Sequence, residues 1–343
     1  MSEAKTYRFQ FLILIVALLF FILVNISLGS VAIPLKDVLS STFNSDVEKD
    51  SWKYIIQNFR IPKAITATLT GGGLALSGLL MQTLFRNPLA GPFVLGISSG
   101  ASLGVAILIM GTSLFGGVLT SSVLGNTSLA IAASIGSFLV LLSVLLVAAK
   151  VRDTMALLII GLMFGSITTA IVSVLSYFSS IEKLQQYTFW SFGSLGNLTW
   201  NQILLYFIFF LGGVFLSIIS IKALNSLLLG ENYAKSLGLN INKSRYIIII
   251  ATSLLAGSAT SFAGPIAFVG LAVPHLTKQI FNTTNHKILM PAVILYGAIL
   301  MLICDTISQL PMNEYVLPIN AITSIIGAPV VIWLLVRKRK MIF

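Results

Sequence analysis

Apolar residues along this chain come in long unbroken blocks, without the short alternation of a half-buried strand. Phe11 to Val24, for example, contains no polar side chain. A helix crossing a hydrocarbon layer about 30 Å thick needs about 20 residues. That ruler divides the chain into ten segments, 9–28, 61–84, 92–111, 128–149, 154–178, 202–221, 244–261, 266–281, 288–309 and 318–337. The pattern predicts an all-α polytopic membrane protein of about ten transmembrane helices, with 1–343 forming a single transmembrane domain. The first segment lacks a small-residue cleavage site and is long for a signal peptide, so it is expected to stay as an anchor. The eighth, between Gly264 and Thr277, is the shortest.

Composition agrees. Charged residues make up 9% of the chain and apolar residues 57%, with a mean hydropathy of +0.98; an average soluble chain carries about 25% charge. The excess of 21 Lys and Arg over 10 Asp and Glu is the bias of cytoplasmic membrane loops, and no interleaved basic and aromatic patch accompanies it, which excludes a nucleic-acid binder. Placing both termini in the cytoplasm puts 15 of the 21 positive charges inside, including Lys150 and Arg152, the loop from Lys222 to Arg245, and the tail from Arg337 to Lys340. The expected topology is therefore N-in and C-in. One cysteine, Cys304, lies within an apolar run, so there is no disulfide framework.

Small residues mark helix packing. Gly96, Gly100 and Gly104 recur every four residues, as do Gly161 and Gly165, and Gly71 to Gly73 lead into Ala75, Ser77 and Gly78. Such spacing lets helix backbones approach closely. Ala90-Gly91-Pro92 is echoed 173 residues later by Ala263-Gly264-Pro265. In the expected topology the two start spans from opposite sides, as an inverted repeat requires, and this points to a transporter.

Motifs for chemistry within the chain are few. No G-x-x-x-x-G-K-[ST] occurs, so ATP energy would have to come from a partner. His275 and His286 are not spaced as a metal pair. Gly96-Ile97-Ser98-Ser99-Gly100 fits G-x-S-x-G, which makes an intramembrane serine hydrolase an alternative, although no strand supports the serine. Asp305 is the one carboxylate expected within a span; such an acid needs a partner, and a proton-coupled secondary carrier is a second alternative. The stretch 226–240 is too polar to span and too rich in helix formers for a linker. Tyr233, Ala234 and Leu237 are expected on one side of a short helix suited to a partner's groove.

At this point the sequence resembles the FecCD or BtuC-like family, the permease subunits of ABC importers for iron chelates and cobalamin. The resemblance runs from about Arg60 to the C-terminus. It rests on Arg60-Ile61-Pro62-Lys63 with Gly71 to Gln82, on Asn87-Pro88-Leu89-Ala90-Gly91-Pro92 and Leu95 to Ala101, and on Trp190 to Leu195. It continues with Gly230-Glu231 to Leu237-Gly238, with Ala263 to Leu271 and Pro274-His275, and with Leu317-Pro318, Thr323 and Gly327-Ala328-Pro329-Val330.

The resemblance implies a ten-span type II permease in the bacterial inner membrane. It would pair with a second permease subunit, identical or a sister chain, two cytoplasmic ABC ATPases and an extracytoplasmic binding protein. This chain would bind no metal or other cofactor and catalyse no reaction; ATP and Mg would be used by the ATPase. Gly230, Glu231, Ala234, Leu237 and Gly238 would form the coupling helices, and Arg60 and Lys63 would dock the binding protein. Met163, Ser166, Thr169, Ser173, Tyr187 and Trp190 would line the path, with a cytoplasmic gate at Arg152 and Thr154. The substrate would be a ferric siderophore first, with haem or cobalamin as alternatives. Two departures stand out: Gln309 follows Asp305 where the family often has Arg, and Asn320 replaces a glycine in a segment where Glu314 is separated from Leu317-Pro318.

Overall fold

The computed structural model describes residues 7–29, 31, 33–42, 49–111, 126–148, 151, 154–310 and 315–336. Each expected span contains a helix. They are α1 (Arg8–Ser27), α4 (Ile61–Leu84), α5 (Ile97–Met110), α6 (Asn126–Ala148), α7 (Thr154–Tyr177), α9 (Trp200–Ile219), α12 (Ile241–Ala263), α13 (Val269–Phe281), α14 (His286–Ser308) and α15 (Ile319–Val336). Shorter helices lie between them: α2 (Leu35–Thr42), α3 (Asp50–Ile55), α8 (Ile181–Ser191), α10 (Ile221–Leu228) and α11 (Glu231–Ser236). A π-helical turn, Ile56–Arg60, joins α3 to α4 without a break. Among the described residues, seven helices are long and apolar enough to cross a membrane.

Two expected spans are shorter than the ruler required, for one shared reason. The segment after Ala90-Gly91-Pro92 is a 3-10 turn, Pro92–Leu95, and α5 starts only after Gly96, whose φ is +72°. After Ala263-Gly264-Pro265 the chain stays non-helical until Phe268, at φ +66°, and α13 then runs 13 residues. In both repeats a proline and a left-handed residue delay the helix. A glycine from a later helix receives each irregular segment: Gly161 of α7 lies against Val94, and Gly327 of α15 against Phe268. Gly96, expected as a packing position, packs against Val140 and Gly161 and is also the left-handed residue capping α5.

The centre of the bundle is α4. Every residue from Leu69 to Leu84 is buried, and α9, α12, α13 and α14 pack around it. Its glycines permit this. A methyl group at Gly71 would overlap the Gly297 carbonyl of α14, and one at Gly78 would overlap the Gly270 carbonyl of α13. Gly100 and Gly104 meet Gly136 and Ala132 of α6 in the same way. By contrast α1 and α7 leave half or more of their apolar side chains exposed, the reverse of a soluble fold and the arrangement a lipid environment favours.

Gly78→Ala is therefore expected to cost about 1–3 kcal/mol by forcing α4 and α13 apart. Gly212→Ala in α9, where the nearest side-chain atom is 3.8 Å away, is expected to be neutral. Thermal midpoints in detergent, read by size-exclusion recovery, check both.

Candidate functional site: two ends of the bundle and a groove on α7

The loop between α9 and α12 builds one end. α10 closes at Gly230, whose carbonyl accepts the Ala234 N–H at 2.9 Å and starts α11. α11 stops at Gly238, which at φ +81° takes a conformation that side-chain-bearing residues resist. The Leu239 N–H reaches the Ala234 carbonyl at 3.1 Å and the Gly238 N–H reaches that of Lys235 at 2.9 Å, the paired bonds of a Schellman termination. Ala234 is wholly buried against the body, while Leu229, Tyr233 and Leu237 are each more than half exposed. Tyr233 and Leu237, four apart, share one apolar edge of α11, and Leu229 is exposed on the α10 side of the Gly230 turn. The expected grouping of Ala234 with Tyr233 and Leu237 is thus corrected: Ala234 is the anchor on the opposite face.

Glu231, at the start of α11, forms an ion pair with Arg245 of α12 at 3.3 Å. Arg245 is 3% exposed, and its other terminal nitrogen donates to the Val151 carbonyl, in the α6–α7 connection, at 3.2 Å. Sequence reasoning counted Arg245 only among loop charges; an opposite charge fourteen residues before it was the available signal. Of the expected gate, Arg152 lies outside the described residues, and Thr154 is described only as the residue that opens α7. Arg86, which ends α4 at φ +46°, brings its guanidinium beside Gly230.

Nearby, His286 ties three helices. Its Nδ1 lies 2.7 Å from the Asn225 side-chain oxygen on α10 and its Nε2 lies 2.9 Å from the Thr83 hydroxyl on α4. The histidine is a buried structural link. Ser98 hydrogen-bonds Thr260 at 3.2 Å and begins a helix with no strand before it, which gives it neither the base nor the elbow geometry of a hydrolase.

At the opposite end, the two basic residues expected to dock a partner turn inward. Arg60 is buried and donates to the carbonyls of Ile26 and Ser27, both at 2.8 Å, and of Val31. It caps the C-terminus of α1, where carbonyls lack helical partners and a cation is favoured. Lys63 pairs with Asp305 at 3.2 Å. The other Asp305 oxygen accepts from Asn25 at 2.9 Å and from Gln309 at 2.8 Å. The acid thus has one cation and two amide donors, as a buried carboxylate requires.

The departures from the family pattern have local roles. Gln309 donates to the Asp305 carboxylate. The Asn320 side chain accepts the Ala267 N–H at 3.0 Å, and its backbone N–H donates to Phe192 at 3.2 Å. Asn320 thereby clamps the irregular 264–268 segment to the turn after α8. Within that turn the Ser194 N–H donates to the Ala263 carbonyl at 2.9 Å, and Gly193, at φ +75°, packs directly on Gly264. Glu314 lies outside the described residues.

Ser166, Thr169 and Ser173 converge on a groove of about 500 Å³ along α7, floored by Gly161 and Gly165 and edged by Phe93 and Ser99. Each of the three hydroxyls donates to the carbonyl four residues before it, at 2.9–3.1 Å. Their protons are engaged, so the wall is polar without offering strong donors. Met163 is exposed on the same helix outside this groove. Tyr187 and Trp190 are set apart: their rings stack at 6.3 Å, and the Tyr187 hydroxyl hydrogen-bonds Ser102 of α5. Trp190 also lines a second cavity, of about 260 Å³, bounded by α8 and the ends of α9 and α12.

The Lys63–Asp305 pair should show strong non-additivity. Lys63→Ala and Asp305→Ala are each expected to lower stability by about 3 kcal/mol, because the remaining charge is left uncompensated. The double variant should cost no more than either single one, a coupling read directly from a double-mutant cycle of thermal midpoints.

The model of the FecCD transport family matches residues 17–337. The chain is 33% identical over 329 residues to the hemin transport system permease protein HmuU of Yersinia pestis, covering 95% of this chain and 96% of that one. It is 36% identical over 284 residues to the vitamin B12 import system permease protein BtuC of Klebsiella pneumoniae subsp. pneumoniae, covering 83% of each. Its fold matches a solved inward-facing conformation of a proposed metal-chelate type ABC transporter with a TM-score of 0.81 and 30% identity, over 95% of this chain and 98% of that one. With its multi-pass helical fold and this match along nearly its whole length, the chain belongs to the FecCD transport family of ABC transporter permeases.

Proposed function

We propose that this chain is the membrane subunit of an ATP-driven importer that carries a ferric siderophore across the bacterial inner membrane, with both termini cytoplasmic. The same machinery carrying haem or cobalamin is the alternative. The three substrates share one chemistry: a metal held by a multidentate organic ligand. The relatives' own names, for hemin, vitamin B12 and metal chelates, support that class.

The observation that carries the reading is the exposed apolar edge of Tyr233 and Leu237, held outward by the burial of Ala234 and the turn at Gly238, with Leu229 exposed just before α11. An exposed apolar edge on a short, well-terminated helix suits the groove of a partner protein better than it suits water. In this reading Gly230 to Gly238 couples to two cytoplasmic ATPases, which use ATP and Mg; this chain binds no cofactor. A second permease subunit completes the path, whose weakly binding wall is the α7 groove, with the gate at 152–154. Alternation follows if ATP binding favours one packing of the two subunits and hydrolysis releases it. An extracytoplasmic binding protein docks at the α8 end, where Arg60 and Lys63 hold the docking face in shape and do not reach out from it.

Leu237→Asp and Tyr233→Asp are each expected to weaken ATPase association at least about tenfold. Both should abolish uptake without lowering membrane insertion. Cells carrying and lacking the chain, supplied with labelled ferric siderophore, haem and cobalamin in parallel, are expected to differ in uptake of the siderophore. A difference confined to haem or cobalamin would reassign the substrate and keep the machinery.

A further inference from the structure

α12 packs against both α6 and α9, but among the described residues those two outer helices make no extended contact with each other. A hydrogen bond from the Gln202 side chain of α9 to the Thr127 hydroxyl of α6, at 3.0 Å, joins them at the α8 end. Beyond it the gap widens into a cavity of about 420 Å³. Its floor is one face of α12, formed by Ile250, Ser253, Leu254, Gly257, Ser258 and Ser261. Phe138 and Leu145 of α6 and Phe209 of α9 form its walls. Phe138, Phe209 and Ile250 are exposed, so the cavity opens sideways onto the surface that lipid covers in a membrane protein.

The serines within it do not make it polar. Ser134, Ser253 and Ser258 donate to the carbonyls four residues before them, and Ser137 donates to the Ile97 carbonyl at 3.1 Å. Ser261 is the exception. It is 4% exposed, and its hydroxyl has no hydrogen-bond partner among the described residues. A buried hydroxyl left unpaired is costly and uncommon, so this one points to a partner within the gap. Ser261 also borders the cavity of about 260 Å³ beside Trp190, where Gln186, Ser194, Asn197 and Gln202 give a polar lining without a charged side chain. The gap is therefore apolar along its length and polar at one end, with the unpaired hydroxyl at the change. Its dimensions match one kind of occupant. Eleven residues separate Ile250 from Ser261, a rise of about 16 Å, and one leaflet contributes about half of a hydrocarbon core about 30 Å thick. Ser261 lies in the last turn of α12, the depth at which acyl chains give way to ester groups.

We propose that this crevice holds one acyl chain of a membrane phospholipid. The Ser261 hydroxyl donates to the ester carbonyl, and the polar cavity receives the glycerol end. The chain takes the place of the contact that α6 and α9 do not make. Since the polar end carries no charge, the site does not select the charge of the headgroup. The proposal is independent of the ligand the importer carries and of what docks on α11.

The experiment places the full-length chain, purified with its associated subunits, in nanodiscs containing a trace of phosphatidylcholine with a photoreactive diazirine at the end of one acyl chain. Labelled peptides are mapped after irradiation. Labelling around Leu145 and Ile250 is expected to exceed that on the exposed face of α1, which any surrounding lipid reaches, by about tenfold, the ratio that a modest preference for the crevice produces. A probe with the diazirine beside the ester is expected to mark the surroundings of Ser261 instead. Ser134→Phe, which fills the cavity from α6, is expected to remove the excess. If that variant fails to insert, Gly257→Leu replaces it, since a Cβ there meets nothing closer than 3.7 Å. Ser261→Ala is expected to reduce the excess about fivefold, the worth of one hydrogen bond. The same variant should leave the thermal midpoint of the delipidated protein unchanged, because no bond within the protein is lost. Labelling retained in Ser261→Ala with a lowered midpoint would make the serine structural and overturn its role. Equal labelling of the crevice and α1 would mean surrounding lipid only, and a crevice left unlabelled would mean that another subunit fills it; either overturns the proposal. Displacement of the probe by free fatty acid but not by unlabelled phospholipid overturns the assignment to a phospholipid.

Discussion

Within a hydrocarbon layer an apolar side chain gains little by leaving lipid for another helix, so close backbone contact and satisfied polar groups must hold the bundle together. The contact along α4 is the one on which the rest depends. Gly71 and Gly78 bring its backbone against those of α14 and α13, and with α9 and α12 beside it the helix becomes inaccessible from Leu69 to Leu84. The two irregular repeats are set against this centre. Pro92 packs on Gly270, beside the Gly78 crossing, so the break before α5 and the break before α13 share one neighbourhood. A larger residue at that crossing would disturb both.

Buried charge follows the same economy at both ends. Asp305 is bound by a lysine and two amides, Arg60 by three carbonyls, and Arg245 by a carboxylate and a carbonyl. In each case the ionised group crosses between helices, so the requirement to satisfy it also fixes how those helices sit. This accounts for the inward turn of Arg60 and Lys63. It also accounts for Gln309, which supplies a donor where a second positive charge would compete with Lys63.

The proposed functional surfaces have the opposite character. The apolar edge of α11 leaves apolar area uncovered and the α7 groove has its hydroxyl protons turned back into the helix. In the proposed importer the first surface waits for a partner, and the second lets a polar chelate pass without being held.

The amino-acid sequence alone determined the helical class, the placement of the spans and the family, because lipid thickness sets block length and because the Ala-Gly-Pro, Trp-Ser-Phe-Gly and Gly-Glu motifs are contiguous. It also marked 226–240 as a distinct segment, since polarity inside a hydrophobic chain is visible without coordinates. It could not assign direction to single side chains. Ala234 and Leu237 are three apart and read as one face, yet the termination at Gly238 and the packing of α11 separate them. Likewise Arg60, Lys63 and Arg245 read as surface charges, and only the tertiary structure supplied the acceptors that turned them inward. Those acceptors come from α1, α14, α11 and the α6–α7 connection, up to 242 residues away in the case of Lys63 and Asp305. Contacts of that range leave no local periodicity, so the sequence carries the cation and the structure alone supplies its partner.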